Sequence, residues 1–181
     1  MAGKKVETGP TGAAAAENIA RLREAQRITY AELSRILGDA GRPIPPLGLR
    51  RIESGERRID VDDLVAIASA LGSSPITLLA PDTETADALV EVTGVAENPV
   101  ASETLWKWLR AESPISGEYE DLSQWMDWVK ASAPSWRVRQ ATEGALHMLE
   151  IRRAELQAEA GDRTALDALL AASEADNRGD D

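Results

Sequence analysis

The sequence predicts an all-α protein in two helical parts, and three observations carry that reading. Apolar residues recur at three- and four-residue spacing through most of the chain. Ser, Thr or Asp opens these stretches and Gly or Pro closes them. Charge and aromatic content both change near residue 82. Of 181 residues, 20 are Lys or Arg and 31 Asp or Glu, a net charge of −11. Residues 82–181 hold nine basic against 21 acidic side chains, whereas residues 14–81 hold nine of each. All five Trp fall between Trp106 and Trp136. A boundary is therefore placed near Pro81. The expected parts are a disordered arm (1–13), a first helical domain (14–81), an acidic, Trp-rich helical domain (82–175) and a disordered tail (176–181).

Composition excludes several chemistries. With no Cys and the single His147, neither a Cys/His zinc site nor a disulfide framework can be assembled. A Ser or Cys triad would have to run through His147, and neither a Gly-x-Ser-x-Gly elbow nor a Gly-rich phosphate loop is present. The reading is no enzyme, no catalytic residues, no cofactor and no metal. No apolar run approaches the ~20 residues of a membrane span, and the first dozen residues lack a signal-type apolar core. A cytoplasmic protein with no membrane partner is expected.

The elements follow in order. In AAAAENIARLREAQR, Ala16, Ile19, Leu22 and Ala25 stand at helical spacing among good helix formers. Thr29 caps a second helix, with Leu33, Ile36 and Leu37 on its apolar stripe and Gly38 or Gly41 as its stop. Pro43, Pro45 and Pro46 delay the third helix to Pro46, since Pro is tolerated only in the first turn. Leu49 and Ile52 form its inner face, and Ser54-Gly55 ends it. Asp60 caps the fourth helix, Asp63 takes the capping-box position and Gly72 is the stop; the cluster of Asp60, Asp62 and Asp63 is read as capping, not as a metal or acid-base site. Ser74-Pro75 opens a fifth, short helix.

Around the third helix, residues 42–58 hold Arg42, Arg50, Arg51, Arg57 and Arg58 against Glu53 and Glu56. Two short helices, the second presenting Arg outward while Leu49 and Ile52 point in, have the arrangement of a DNA-reading helix-turn-helix. TYAELSRIL, GLRRIESGERRIDVDDLVAIASALG and SPITLLAP resemble the lambda-repressor-like (xenobiotic-response-element) helix-turn-helix regulators over residues 17–80. The longer connection GDAGRPIPP is closest to the actinobacterial type. The resemblance implies a five-helix domain whose third helix enters the major groove of double-stranded DNA. It puts Thr29 and Tyr30 at phosphates and the base-reading positions at Pro45, Pro46, Leu47 and Arg50. Leu47 would touch a thymine methyl and Arg50 a guanine, Gly48 would let the backbone approach DNA, and Arg42, Arg51, Arg57 and Arg58 would hold phosphates. Glu53 is read as a structural acid paired with an Arg such as Arg23.

In the second half, ETADALVEV reads as a short helix ending at Gly94, and VASETLWKWLRAE as another, from Asn98-Pro99. Leu122, Trp125, Met126 and Val129 stripe a third helix, Ser135 starts one of about 25 residues, and TALDALLAA makes the last. The Trp residues have three readings: core filler, dimer interface, or a pocket for an effector. Trp108 and Trp128 lie off their stripes and are the candidates for a partner or dimer surface. His147 is assigned no chemistry. The functional expectation is a DNA-binding transcriptional repressor that forms a homodimer, with a protein or small-molecule effector on the C-terminal half. The rival is a protein-protein adaptor or antitoxin-like protein that uses the acidic, Trp-bearing half.

Overall fold

The computed structural model describes residues 8–96, 99–117, 121–160 and 163–168. Within them the chain is mainly helical: α1 (Pro10–Ala25), α2 (Tyr30–Asp39), α3 (Pro46–Glu53), α4 (Val61–Ala70), α5 (Pro75–Leu79), β1 (Leu89–Val90), β2 (Val100–Ala101), α6 (Ser102–Leu109), α7 (Leu122–Ser132) and α8 (Ser135–Glu159). The chain divides into two compact units, 1–118 and 119–181.

Helices α2 to α5 form where their start and stop signals predict. The Thr29 hydroxyl accepts the Glu32 N–H, the Asp60 carboxylate accepts that of Asp63, and the Ser74 hydroxyl that of Ile76. Gly55, just past α3, takes the left-handed conformation that lets the chain turn away there (φ 72°). The apolar stripes meet in one core that includes Ile19, Leu33, Leu37, Leu49, Ile52 and Ile67, all essentially without exposure. At ~1.5–3 kcal/mol for each such side chain, this core is the main force holding α3 against its neighbours.

Side chains close the open helix ends. Buried Asn18 on α1 donates its amide to the carbonyls of Thr77, Leu78 and Ala80 at the end of α5, and Gln26 donates to Leu71 after α4. Ser34 on α2 donates to the Ile44 carbonyl at 2.7 Å and so pins the Pro-rich approach to α3.

Several expectations are corrected. Helix α1 starts at Pro10, because Pro fits the first helical turn, so residues 10–13 of the expected arm are helical. Residues 1–7 and the expected tail 176–181 lie outside the described residues. The chain divides at 118/119 and not near Pro81: composition changes at 82, but packing does not. Arg21 on α1 bridges Asp82 at 3.1 Å, and Thr11 and Thr93 exchange two hydrogen bonds, of 3.2 and 3.0 Å, between backbone N–H and hydroxyl.

ETADALVEV is not a helix. Leu89 and Val90 pair antiparallel with Ala101 and Val100, and α6 follows β2 directly. The signal was the alternation Leu89-Val90-Glu91-Val92, which buries Val90 and Val92 and exposes the other two. With Val100 and Leu105 they form a second small core.

No Trp is buried: Trp106, Trp108 and Trp136 are exposed, and Trp125 and Trp128 half-buried. The core-filler reading of the Trp residues therefore fails, since small cores of Val and Leu occupy that place. In the second unit α7 packs on α8, and residues 164–168 of the expected last helix are helical. Among the described residues, no helix is long and apolar enough to cross a membrane.

Candidate nucleic-acid interface

Helix α3 presents two faces because its apolar residues stand three apart. Leu49 and Ile52 are buried, while Leu47, Arg50 and Arg51 are exposed. Exposed Pro45 and Pro46 precede them, so the front of the helix is apolar and its next turn cationic. Neither Arg50 nor Arg51 makes an ion pair among the described residues. Both guanidinium groups are thus available to an external acceptor. A short helix with two free Arg on its outer face can form bidentate hydrogen bonds to a phosphate or to a guanine edge.

The remaining predicted site residues divide differently. Arg42, which follows α2, donates to Asp60 at 2.9 Å and to Asp63 at 2.9 Å. Arg57, after α3, pairs with the other oxygen of Asp63. Asp63 has a nearly unexposed carboxylate, so two cations compensate one buried anion. The Asp63 bond, with the Asp60, Asp63 and Asp62 charges, outweighs the opposing effect of desolvation and leaves the Arg42 guanidinium above its usual range. The backbone N–H of Asp63 holds the Asp60 carboxylate below the ordinary aspartate range, and Arg42 adds to this. The acidic cluster therefore caps α4 and also clamps the α2–α3 and α3–α4 connections around α3. Capping alone had explained it in the sequence, and only folding brings Arg42 within reach, 18 and 21 residues away.

Gly48 is half-buried beneath this clamp. A Cβ there would lie 3.0 Å from the Arg57 guanidinium and 3.2 Å from Ile44, so the missing side chain makes room for the protein's own Arg57. The Thr29 hydroxyl is occupied as an acceptor at the start of α2 but keeps its proton to donate. Arg58 is exposed.

Tyr30 points inward. Its hydroxyl donates to Glu53 at 2.8 Å, and the Arg23 guanidinium lies 4.3 Å from its ring centroid. Arg23 makes a two-pronged bridge to Glu53, at 2.7 and 2.9 Å, and the Glu53 bond holds its ionised form strongly. The pairing of Glu53 with Arg23 is as the sequence suggests, while the phosphate contact expected of Tyr30 is replaced by this internal bond. Burial first, then the Glu53 bond, raises the Tyr30 phenol above its ordinary pKa of 10.0. A raised folded-state pKa gives stability that is complete below the unfolded value and lost as pH rises through the folded one. Wild-type protein should thus weaken above about pH 10, and Tyr30→Phe should flatten that alkaline limb in thermal melts at pH 8–11. An unchanged limb in the variant would mean that Tyr30 is solvated.

Trp108 lies on α6 in the first unit and half-buried Trp128 on α7 in the second, so they do not form one surface within either unit. Exposed His147 lies 4.0 Å from Glu150. Among the described residues no group of three His, Cys, Asp or Glu is placed to hold a metal ion.

A pair of packed short helices, the second with a buried inner face and an exposed, partly cationic outer one, defines a helix-turn-helix module. Residues 19–78 match the helix-turn-helix family, and this segment is a helix-turn-helix domain of the lambda-repressor-like type. No curated protein and no solved structure matches the chain. Domains of this family belong to DNA-binding regulators.

Proposed function

We propose that the protein is a sequence-specific transcriptional repressor in the cytoplasm that binds double-stranded DNA through α3 as a homodimer. The observation that carries this is the pair of exposed arginines, Arg50 and Arg51, without an ion pair among the described residues, on the outer face of a helix whose inner face is locked into the core. Leu47 and Arg50 meet base edges, the first a thymine methyl and the second a guanine, while Arg51, Arg58 and Thr29 meet phosphates. Arg42 and Arg57, clamped by Asp60 and Asp63, position the flanking connections and add charge at the rim. Two copies set their α3 helices about one turn of DNA apart, ~34 Å, on a palindromic site, and an effector acting on the C-terminal half modulates occupancy.

A salt titration of binding to the DNA upstream of the protein's own gene tests this. With two charged phosphate contacts per protomer, Arg51 and Arg58, log K should fall against log salt with a slope of about −2 per half-site. Affinity independent of salt would rule out the phosphate roles.

A second reading has one observation in its favour: the front of α3 is Pro45, Pro46 and exposed Leu47, groups that offer bases no side-chain hydrogen bond. An adaptor or antitoxin-like protein would use such a front on a protein partner. Absence of any gel shift at low salt would favour it.

A further inference from the structure

We infer that the bare half of α8 is a homodimer interface, on which a second copy of this chain lays its own α7–α8 hairpin in antiparallel orientation. This deepens the homodimer proposed above by naming its surface, and it does not require that DNA be the ligand.

The argument begins with lengths. At 1.5 Å per residue, the 25 residues of α8 span about 37 Å and the 11 residues of α7 about 16 Å. Only Ala133 and Pro134 link them, so α7 folds back along the first half of α8. Two copies of α7, one from each chain, match the length of one α8.

The residues follow the same division. Val138, Thr142, Ala145, Leu149 and Leu156 stand at successive four-, three-, four- and seven-residue steps and share one stripe. Its first three members are half-buried, in the part that α7 covers. Leu149 is 55% exposed and Leu156 50%, with neighbouring Leu146 at 56%. Past residue 146 the cover ends; Leu149 and Leu156 continue the stripe, with exposed Arg152 and Arg153 flanking it between them. Ala154, on another side, is buried, and Ala165 and Ala168 of the helical turn at 164–168 lie beside it, so that turn leaves the stripe bare among the described residues.

The area agrees. Leu146, Met148, Leu149 and Leu156 are each at least half exposed in this half of the helix. At ~200 Å² for a large apolar side chain, they leave on the order of 500 Å² of apolar surface in water. One side of a standard interface buries ~800 Å², somewhat over half of it apolar. An antiparallel partner whose two-fold axis passes near His147, the midpoint of α8, places the α7-covered half of each hairpin against the bare half of the other.

The test is the mass of the full chain in solution without DNA, by light scattering. Wild type should give twice 19.5 kDa, and Leu149→Glu with Leu156→Glu should halve it while far-UV circular dichroism stays unchanged. A monomeric wild type, or a double variant that keeps the dimer mass, would overturn the assignment. Orientation has its own readout, because the chain contains no Cys. Leu146→Cys, next to the axis, should cross-link between copies with a short bifunctional reagent. Glu159→Cys should not, since its two copies lie about 36 Å apart in this arrangement. Cross-linking at 159 and not at 146 would overturn the antiparallel pairing. Loss of DNA binding with the dimer mass intact would count against the DNA reading alone.

Discussion

Replacing Glu53 by Ala is expected to destabilise the first compact unit by about 3–5 kcal/mol, the largest effect of any single substitution considered for it. The Arg23 and Glu53 side chains are only 10% and 6% exposed, so the pair is desolvated on both sides. Removing the carboxylate takes away two charge-assisted hydrogen bonds and leaves a guanidinium that cannot shed its proton. Arg23 would keep the Ile28 carbonyl and the more exposed Glu24, neither of which substitutes for the lost bridge. Tyr30 would lose its acceptor as well. Domain stabilities of 5–15 kcal/mol make such a loss visible as a large fall in the urea midpoint. Glu53→Gln, which retains an acceptor of the same shape, should lose less, and Tyr30→Phe about 1 kcal/mol. A loss below 1 kcal/mol for the Ala variant would show that water reaches the pair.

The same residues show what the sequence could and could not tell. Helices α2 to α5 were legible because each has an apolar stripe and a local start signal: Thr29, Asp60 and Ser74 cap within three residues of themselves, and Pro46 fixes the first turn of α3. The Glu53–Arg23 pairing was legible too, because the resemblance fixed which helices face each other. The clamp of Arg42 and Arg57 on Asp63 was not. Arg42 and Arg57 have the same residue type and neighbourhood in sequence as Arg50 and Arg51, and only tertiary proximity to a buried acid separates structural arginines from available ones. The hairpin of β1 and β2 was missed for a different reason. Ala86, Ala88 and Leu89 favour helix, and the two-residue alternation that buries Val90 and Val92 is too short to outweigh them before Val100 supplies its partner.

That separation of the arginines sharpens the second large prediction. Arg50→Ala with Arg51→Ala should abolish sequence-specific DNA binding, lowering affinity at least 100-fold, with helical content and urea midpoint unchanged. The stability part follows because both side chains are exposed and neither has an ion-pair partner among the described residues. The affinity part follows from magnitude. One bidentate base contact is worth ~1–3 kcal/mol, and a charge-assisted phosphate bond adds further, so together they exceed the 2.7 kcal/mol of a hundredfold change. The single variants should differ in kind. Arg50→Ala should relax discrimination at one base pair, whereas Arg51→Ala should weaken all sequences alike and make the salt slope shallower by about 0.9. Arg42→Ala should instead lower stability, since it removes a partner from the buried carboxylate of Asp63, and should alter affinity mainly through the position of α3. Fluorescence anisotropy on the operator and on a single-base mismatch, at several salt concentrations, separates these outcomes. Full operator affinity in the double variant would mean that α3 does not enter the groove, and would leave its apolar front as a protein-binding surface.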